Sequence, residues 1–248
     1  MKLVVDIGNS QIKIAETYNQ NLSKIKSFSL KDIEKFRKYM KRNYVEKECT
    51  LFYSSVLGDQ FNSKFNKILK GLSIKGKKFK STKSLFSVKN CYPQPSKLGS
   101  DRWAQIVAAH AIFKSNTMII SCGSAISIDY VTSKGIHTGG LILGGAERYI
   151  NCFSDIHNLK NIKLRKNDNK ASTILQSNTM KQITMGYRVM ISSSINAIYS
   201  SLCVKGKIKP NLLLTGSYSK NLSNDLKNKC FVEPYFVLKS LALIQEKT

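Results

Sequence analysis

The chain has 248 residues, 42% of them hydrophobic, which suits one large domain or two small ones and excludes wholesale disorder. It carries 40 basic residues against 15 acidic, a net charge of +25. Only six of the basic residues are Arg (Arg37, Arg42, Arg102, Arg148, Arg165 and Arg188), and Lys is scattered from end to end, so drift in composition explains the charge better than a nucleic-acid reader built on Arg forks.

Residues 2–7 form an apolar run, broken at Gly8 and Asn9, and Gln11 to Glu16 alternates as a half-buried strand does. "LKDIEKFRKYMKRN", 30–43, spaces Ile33, Phe36, Tyr39 and Met40 like a helix. "TLFYSSVL", 50–57, is a buried strand, and "QFNSKFNKILKGL", 60–72, a second helix. "GLSIKGKK", 71–78, nearly spells a P-loop. Lys78 stands where magnesium needs Ser or Thr, and a helix precedes it, so the stretch reads as a solvated basic turn. A loop with two prolines, 90–102, leads into a helix over 102–114.

The pattern then restarts. "TMIISCGSAISIDYV", 117–131, is an apolar run, a small-residue turn at Gly123, and an alternating strand. "GIHTGGLILGG" holds a further strand, 182–202 a long helix, "NLLLTGSYS" a strand running into a glycine turn, and 236–246 a closing helix. Two halves of one plan follow from this, 1–115 and 116–248, with Gly8 and Gly123 equivalent.

No CxxC pair occurs among the six cysteines, and His110, His137 and His157 stand apart, which argues against a metal cluster. No apolar run approaches the roughly 18 residues of a membrane span. The expected setting is a reduced cytoplasm without membrane contact.

Three stretches carry candidate chemistry. "DIGNS" and "SCGSA" place glycine and small polar residues after strands, where backbone can approach a phosphate; each is also a plausible tight hairpin. Asp6 is a candidate magnesium ligand, directly or through water. In "LGSDRW", 98–103, Asp101 reads as a helix N-cap or as a general base for a hydroxyl, and Arg102 as a bidentate clamp for a carboxylate.

The amino-terminal "DIGN", the central Y-x-x-P-x-x-L-G-x-D-R-W of residues 92–103, and Gly123-Ser124-Ala125 followed by Gly135-x-x-x-Gly139-Gly140 together resemble type III pantothenate kinase over nearly the whole chain. The resemblance implies a duplicated actin-like (ribonuclease H-like) α/β fold, with two mixed-sheet domains flanked by helices and ATP in the cleft between them. It implies ATP-dependent phosphorylation of pantothenate to 4′-phosphopantothenate in coenzyme A biosynthesis, with Mg2+, by a cytoplasmic homodimer. ATP would meet Asp6, Ile7, Gly8, Asn9, Ser10, Gln11, Ile12, Lys13 and Ser124. Pantothenate would meet Tyr92, Gly99, Ser100, Asp101, Arg102 and Thr179, with Asp101 as the base.

The chain departs from the pattern. Ser121 stands where the family has an Asp associated with a monovalent cation, potassium or ammonium; a hydroxyl brings no charge, so that site is weakened or lost. Gly144–Gly145 replaces the family's Pro–Gly, and Ser10 its Thr. Two other function classes fit the same fold: a nucleic-acid-binding regulator, which the net charge would help, and a non-catalytic nucleotide-binding remnant. Asp6, Asp101 and Arg102 together favour the kinase, since a DNA binder needs none of them.

Overall fold

The structure is a computed structural model and describes residues 1–45, 47–153, 156, 173–203 and 209–248. His157 and Arg165 lie outside the described residues. Two compact units emerge: Met1–Ile112 with Gly135–His137 and Tyr235–Thr248, and Phe113–Lys134 with Thr138–Pro234.

The first unit opens with β1 (Lys2–Ile7), β2 (Gln11–Tyr18) and β3 (Asn21–Ser29), then α1 (Ile33–Tyr44), β4 (Thr50–Ser55), α2 (Asp59–Gly71) and β5 (Lys75–Lys78). Its sheet runs β3-β2-β1-β4-β5. β1 is antiparallel to β2 and parallel to β4, and β4 is parallel to β5. A small hairpin, β6 (Ser84–Leu85) and β7 (Val88–Lys89), precedes α3 (Ser100–Phe113).

The second unit repeats the plan with β8 (Thr117–Cys122), β9 (Ala125–Val131), β10 (His137–Gly144), α4 (Ala146–Asn151), α5 (Thr179–Leu202), β11 (Asn211–Thr215), α6 (Ser219–Ser223) and β12 (Phe231–Val232). Its sheet runs β10-β9-β8-β11-β12, with β8 antiparallel to β9 and parallel to β11. The duplication read from the sequence is therefore present strand for strand. The last helix, α7 (Phe236–Lys247), belongs to the first unit.

Burial on both faces explains the continuous apolar run of β1. Leu3, Val5 and Ile7 join Ile12 and Ile14 of β2, Phe36 and Met40 of α1, Leu51 and Tyr53 of β4, and Phe65 and Leu69 of α2 in one cluster. Each such side chain contributes about 1.5–3 kcal/mol by leaving water. Val4, fully buried, points to the opposite face, where α7 packs across β1, β2, β3 and β4. By alternation Asp6, Lys13 and Ser54 share that face. In the second unit Met118, Ile120, Cys122, Ile126, Ile128, Leu212 and Leu214 form the cluster with α5, which leaves Ser121, Ser127 and Thr215 on the other face.

Two local readings are corrected, and one strand that the sequence did not reveal is added. Lys75–Lys78 is no turn: it pairs in parallel with Thr50–Tyr53 as the sheet's edge. A Cβ on Gly76 would lie 2.5 Å from Leu69 Cδ1, so glycine lets α2 pack on that edge. β3 escaped the sequence pattern because its register on β2 shifts between Ile14 and Glu16, and Lys24 takes φ +48°. Asp101 is not the cap of α3; the helix begins at Ser100 and Asp101 lies in its first turn.

Candidate active site

The site is built at the carboxyl ends of β1 and β4. Asp6 pairs in register with Lys13 on β2 and with Ser54 on β4. The Ser54 hydroxyl donates to Asp6 Oδ1 at 3.1 Å. One residue on, Ser100 ties α3 to the same strand end. Its Oγ accepts from the Ser55 amide and donates to the Ser55 carbonyl, each at 3.3 Å. Ser100 is thus a buried clamp at the head of α3, and it sets Asp101 near Asp6.

The two carboxylates feel each other. Burial pushes the Asp6 pKa up, and the charge of Asp101 pushes it further, against the pull of Lys13 and the Ser54 hydrogen bond; it stands at about 6. A Cβ at Gly99 would lie 2.7 Å from Asp101 Oδ1, so the glycine lets the carboxylate keep this position. One turn along, the buried Gln105 donates its Nε2 to the Asp101 carbonyl at 3.2 Å.

Arg102 Nη1 donates to the Tyr92 hydroxyl at 3.3 Å. The Tyr92 ring stacks on His137, with centroids 6.2 Å apart and planes 16° apart. The first unit therefore brings together Asp6, Lys13, Tyr92, Gly99, Ser100, Asp101 and Arg102.

The turn after β1 is closed by the Gly8 amide on the Gln11 carbonyl at 3.0 Å. It is a hairpin, as one sequence reading held, and its tip residues Asn9 and Ser10 remain exposed. Ile7 and Ile12 have fully buried side chains, so only their backbone can face a ligand. Gln11 is exposed.

The second turn follows the same design, with the Gly123 amide on the Ala125 carbonyl at 3.0 Å and Ser124 at its tip. Gly145 packs against it so closely that a Cβ would lie 2.5 Å from the Gly123 carbonyl oxygen. Gly216, at φ +91°, lies against the Cys122 backbone. Ser121 is register-paired with Ser127 and Thr215, so the position matching Asp6 holds neutral hydroxyls. This donor set does not fit a monovalent cation that needs a carboxylate there. Thr179 opens α5 in the second unit, exposed, beside its cap Asn178.

Sequence reasoning missed Ser54 and His137. Ser54 was detectable only as a polar residue ending an apolar strand. His137 meets Tyr92 through a ring contact that spacing does not reveal.

The profile of type III pantothenate kinase matches residues 2–201. A type III pantothenate kinase of Sulfurihydrogenibium sp. is 28% identical over 257 residues, covering 99% of this chain and 100% of the relative. Among solved structures, a conserved Campylobacter jejuni protein assigned to the Baf family of transcriptional activators aligns at TM-score 0.62 and 21% identity, over 99% of this chain and 98% of its own. A Sinorhizobium meliloti protein assigned as a 2-dehydro-3-deoxygalactonokinase aligns at 0.65 and 9% identity, over 100% and 99%. These structures share the fold, a duplicated actin-like α/β architecture. With a profile match over most of its length and the loop before Trp103 in place, the chain belongs to the type III pantothenate kinase family.

Proposed function

We propose that the carboxylate pair at the end of the first sheet performs the acceptor chemistry of the family's reaction. The chain is a kinase that phosphorylates pantothenate with ATP to 4′-phosphopantothenate, a step of coenzyme A biosynthesis. The observation that carries the assignment of roles is the Ser100 clamp, which holds Asp101 within electrostatic reach of Asp6 and next to the Arg102–Tyr92 pair.

In this reading Asp101 takes the proton of the primary hydroxyl of pantothenate as its oxygen bonds to the γ-phosphorus. The bond from that phosphorus to the bridging oxygen breaks and ADP leaves. Negative charge spreads over the transferred oxygens, where the Asn9 and Ser10 amides at the exposed tip of the first turn and the Lys13 ammonium stabilise it. Arg102 presents its fork to the pantothenate carboxylate and Tyr92 orients it. Gly99 leaves room for the Asp101 carboxylate.

Asp6 fits a divalent cation. It is a hard oxygen donor whose ionisation is opposed by burial and by Asp101, so a nearby positive charge would be welcome. Mg2+ bound there would neutralise phosphate charge.

We further propose a homodimer formed through the second unit. Leu141 and Ile142 on β10, an outermost strand of its sheet, and Val189 and Met190 on α5 are large apolar side chains left exposed. No helix among the described residues is long and apolar enough to cross a membrane; a cytoplasmic location is part of the same proposal.

The test is ATP consumption with and without pantothenate, with the product identified by mass. Turnover that requires pantothenate and yields its monophosphate is expected; ATP use indifferent to pantothenate would sink the assignment.

A further inference from the structure

We infer that Asn90 is a positioning residue for pantothenate recognition, acting through Tyr92. The inference rests on the proposed placement of Tyr92 and Arg102 at the substrate.

The segment between β7 and α3 contains Pro93 and Pro95 and forms no sheet ladder. Its backbone groups must find other partners. The Asn90 side chain supplies several of them. Its Oδ1 accepts the Tyr92 amide at 3.0 Å. Its Nδ2 donates to the Thr82 carbonyl at 3.2 Å and to the Pro95 carbonyl at 3.4 Å. Its own amide donates to the Lys83 carbonyl at 2.9 Å. One side chain thus pins three backbone points: the start of the β6–β7 hairpin, Tyr92 and the proline turn. Only a carboxamide offers an acceptor and two donors on so short a stem.

These bonds close a ring that reaches the substrate residues. Thr82, whose carbonyl Asn90 holds, accepts the Trp103 indole N–H on its hydroxyl at 3.3 Å. Trp103 is fully buried in the first turn of α3, directly after Arg102. Arg102 returns to Tyr92 through the 3.3 Å bond to its hydroxyl. The path runs Asn90, Tyr92, Arg102, Trp103, Thr82 and back to Asn90. The free side of the Tyr92 ring is set by His137, fully buried and held in turn by Cys91 Sγ at 3.4 Å from its Nδ1. Tyr92 is therefore fixed at its backbone by Asn90 and at its ring by His137. Small displacements of a binding group cost affinity when the partner needs a defined fork geometry.

Asn90 touches neither Asp6 nor Asp101 through any bond in this network, so its loss is expected to act on pantothenate and not on ATP or on the chemical step. Asn90→Ala is expected to raise the KM for pantothenate about tenfold, with kcat and the KM for ATP within twofold. Added to Tyr92→Phe, it is expected to raise that KM less than twofold further, because both changes release the same Arg102 contact. A KM for pantothenate within twofold of the parent overturns the inference. So does a joint fall in kcat with both KM values raised, the mark of a general structural fault, and so do fully multiplicative effects in the double variant. If Asn90→Ala yields no folded protein, Asn90→Asp keeps the acceptor for Tyr92, loses both donors, and must show the same selective rise. Tyr92→Phe alone separates the two readings: an unmoved KM for pantothenate there rejects the placement of Tyr92 at the substrate, whatever Asn90 does.

Discussion

Asp101 is, after burial itself, the strongest influence holding the Asp6 carboxyl at a pKa of about 6, although the two residues sit on different elements and far apart in the chain. Parallel pairing of β1 with β4 and the double hydrogen bond of Ser100 to Ser55 bring them together. In the proposed reaction the pair has unequal tasks: Asp6 would hold the divalent cation and Asp101 would take the hydroxyl proton.

Asp101→Asn is expected to lower kcat by about 10²–10⁴, because an amide cannot accept the proton. Removing its negative charge is also expected to lower the midpoint of Asp6, which carboxyl NMR would follow. A variant that turns over at the parent rate would reject Asp101 as base. An Asp6 midpoint that does not move would reject the coupling instead.

Asp6 makes stability depend on pH in a definite direction. Its folded pKa is raised from the ordinary 3.8 to about 6, so between those values the folded state binds the proton more tightly than the unfolded chain. Its contribution is favourable below about pH 4 and is lost as pH rises through 6, by at most about 3 kcal/mol. Asp6→Asn removes this dependence. The difference in Tm between Asp6→Asn and the parent, without nucleotide or magnesium, is expected to grow from about pH 4 to pH 7 and then level off. A difference that is flat across that range would show that the carboxylate is not desolvated as described.

Gly216 is required both by its left-handed φ of +91° and by its contact with the Cys122 backbone. Gly216→Ala is expected to cost about 2–4 kcal/mol, from strain and from displacement of the second turn. Chemical denaturation should show a lower midpoint with the slope unchanged. A loss below about 0.5 kcal/mol would mean that β11 can move away from β8 at little cost.

The two hairpin turns were legible because an uninterrupted apolar strand followed by alternation is a pattern of side chains, visible one residue at a time. β3 was not, since Lys24 at φ +48° and the register shift beside Glu16 break the period of two and spread Leu22, Ile25 and Phe28 three apart. Lys75–Lys78 was not, because backbone pairing to β4 makes that strand while its side chains are mostly charged and at the edge. At the site, Asp6, Asp101 and Arg102 stood out as polar groups at strand and helix ends. Ser54, Asn90 and the buried His137 did not, because their contacts join partners brought together only by folding.

The last prediction concerns Ser121. Two residues before its turn, the first hairpin has a carboxylate, Asp6, flanked by Lys13 and Ser54; the second has Ser121, flanked by Ser127 and Thr215. A carboxylate about 3 Å from a monovalent cation attracts it by about 5 kcal/mol at an effective dielectric constant near 20, and a hydroxyl dipole by far less. The net charge of +25 adds a general repulsion of cations. Potassium and ammonium are therefore expected to change the rate less than twofold at fixed ionic strength, with sodium or a bulky organic cation as replacement. Ser121→Asp is expected to introduce a dependence on potassium, because it restores the charge while Thr215 and Ser127 keep their oxygens beside it. Initial rates against potassium for both proteins decide the matter. Strong potassium activation of the unmodified enzyme would show that neutral oxygens suffice here and that the loss of the carboxylate was not the loss of the site.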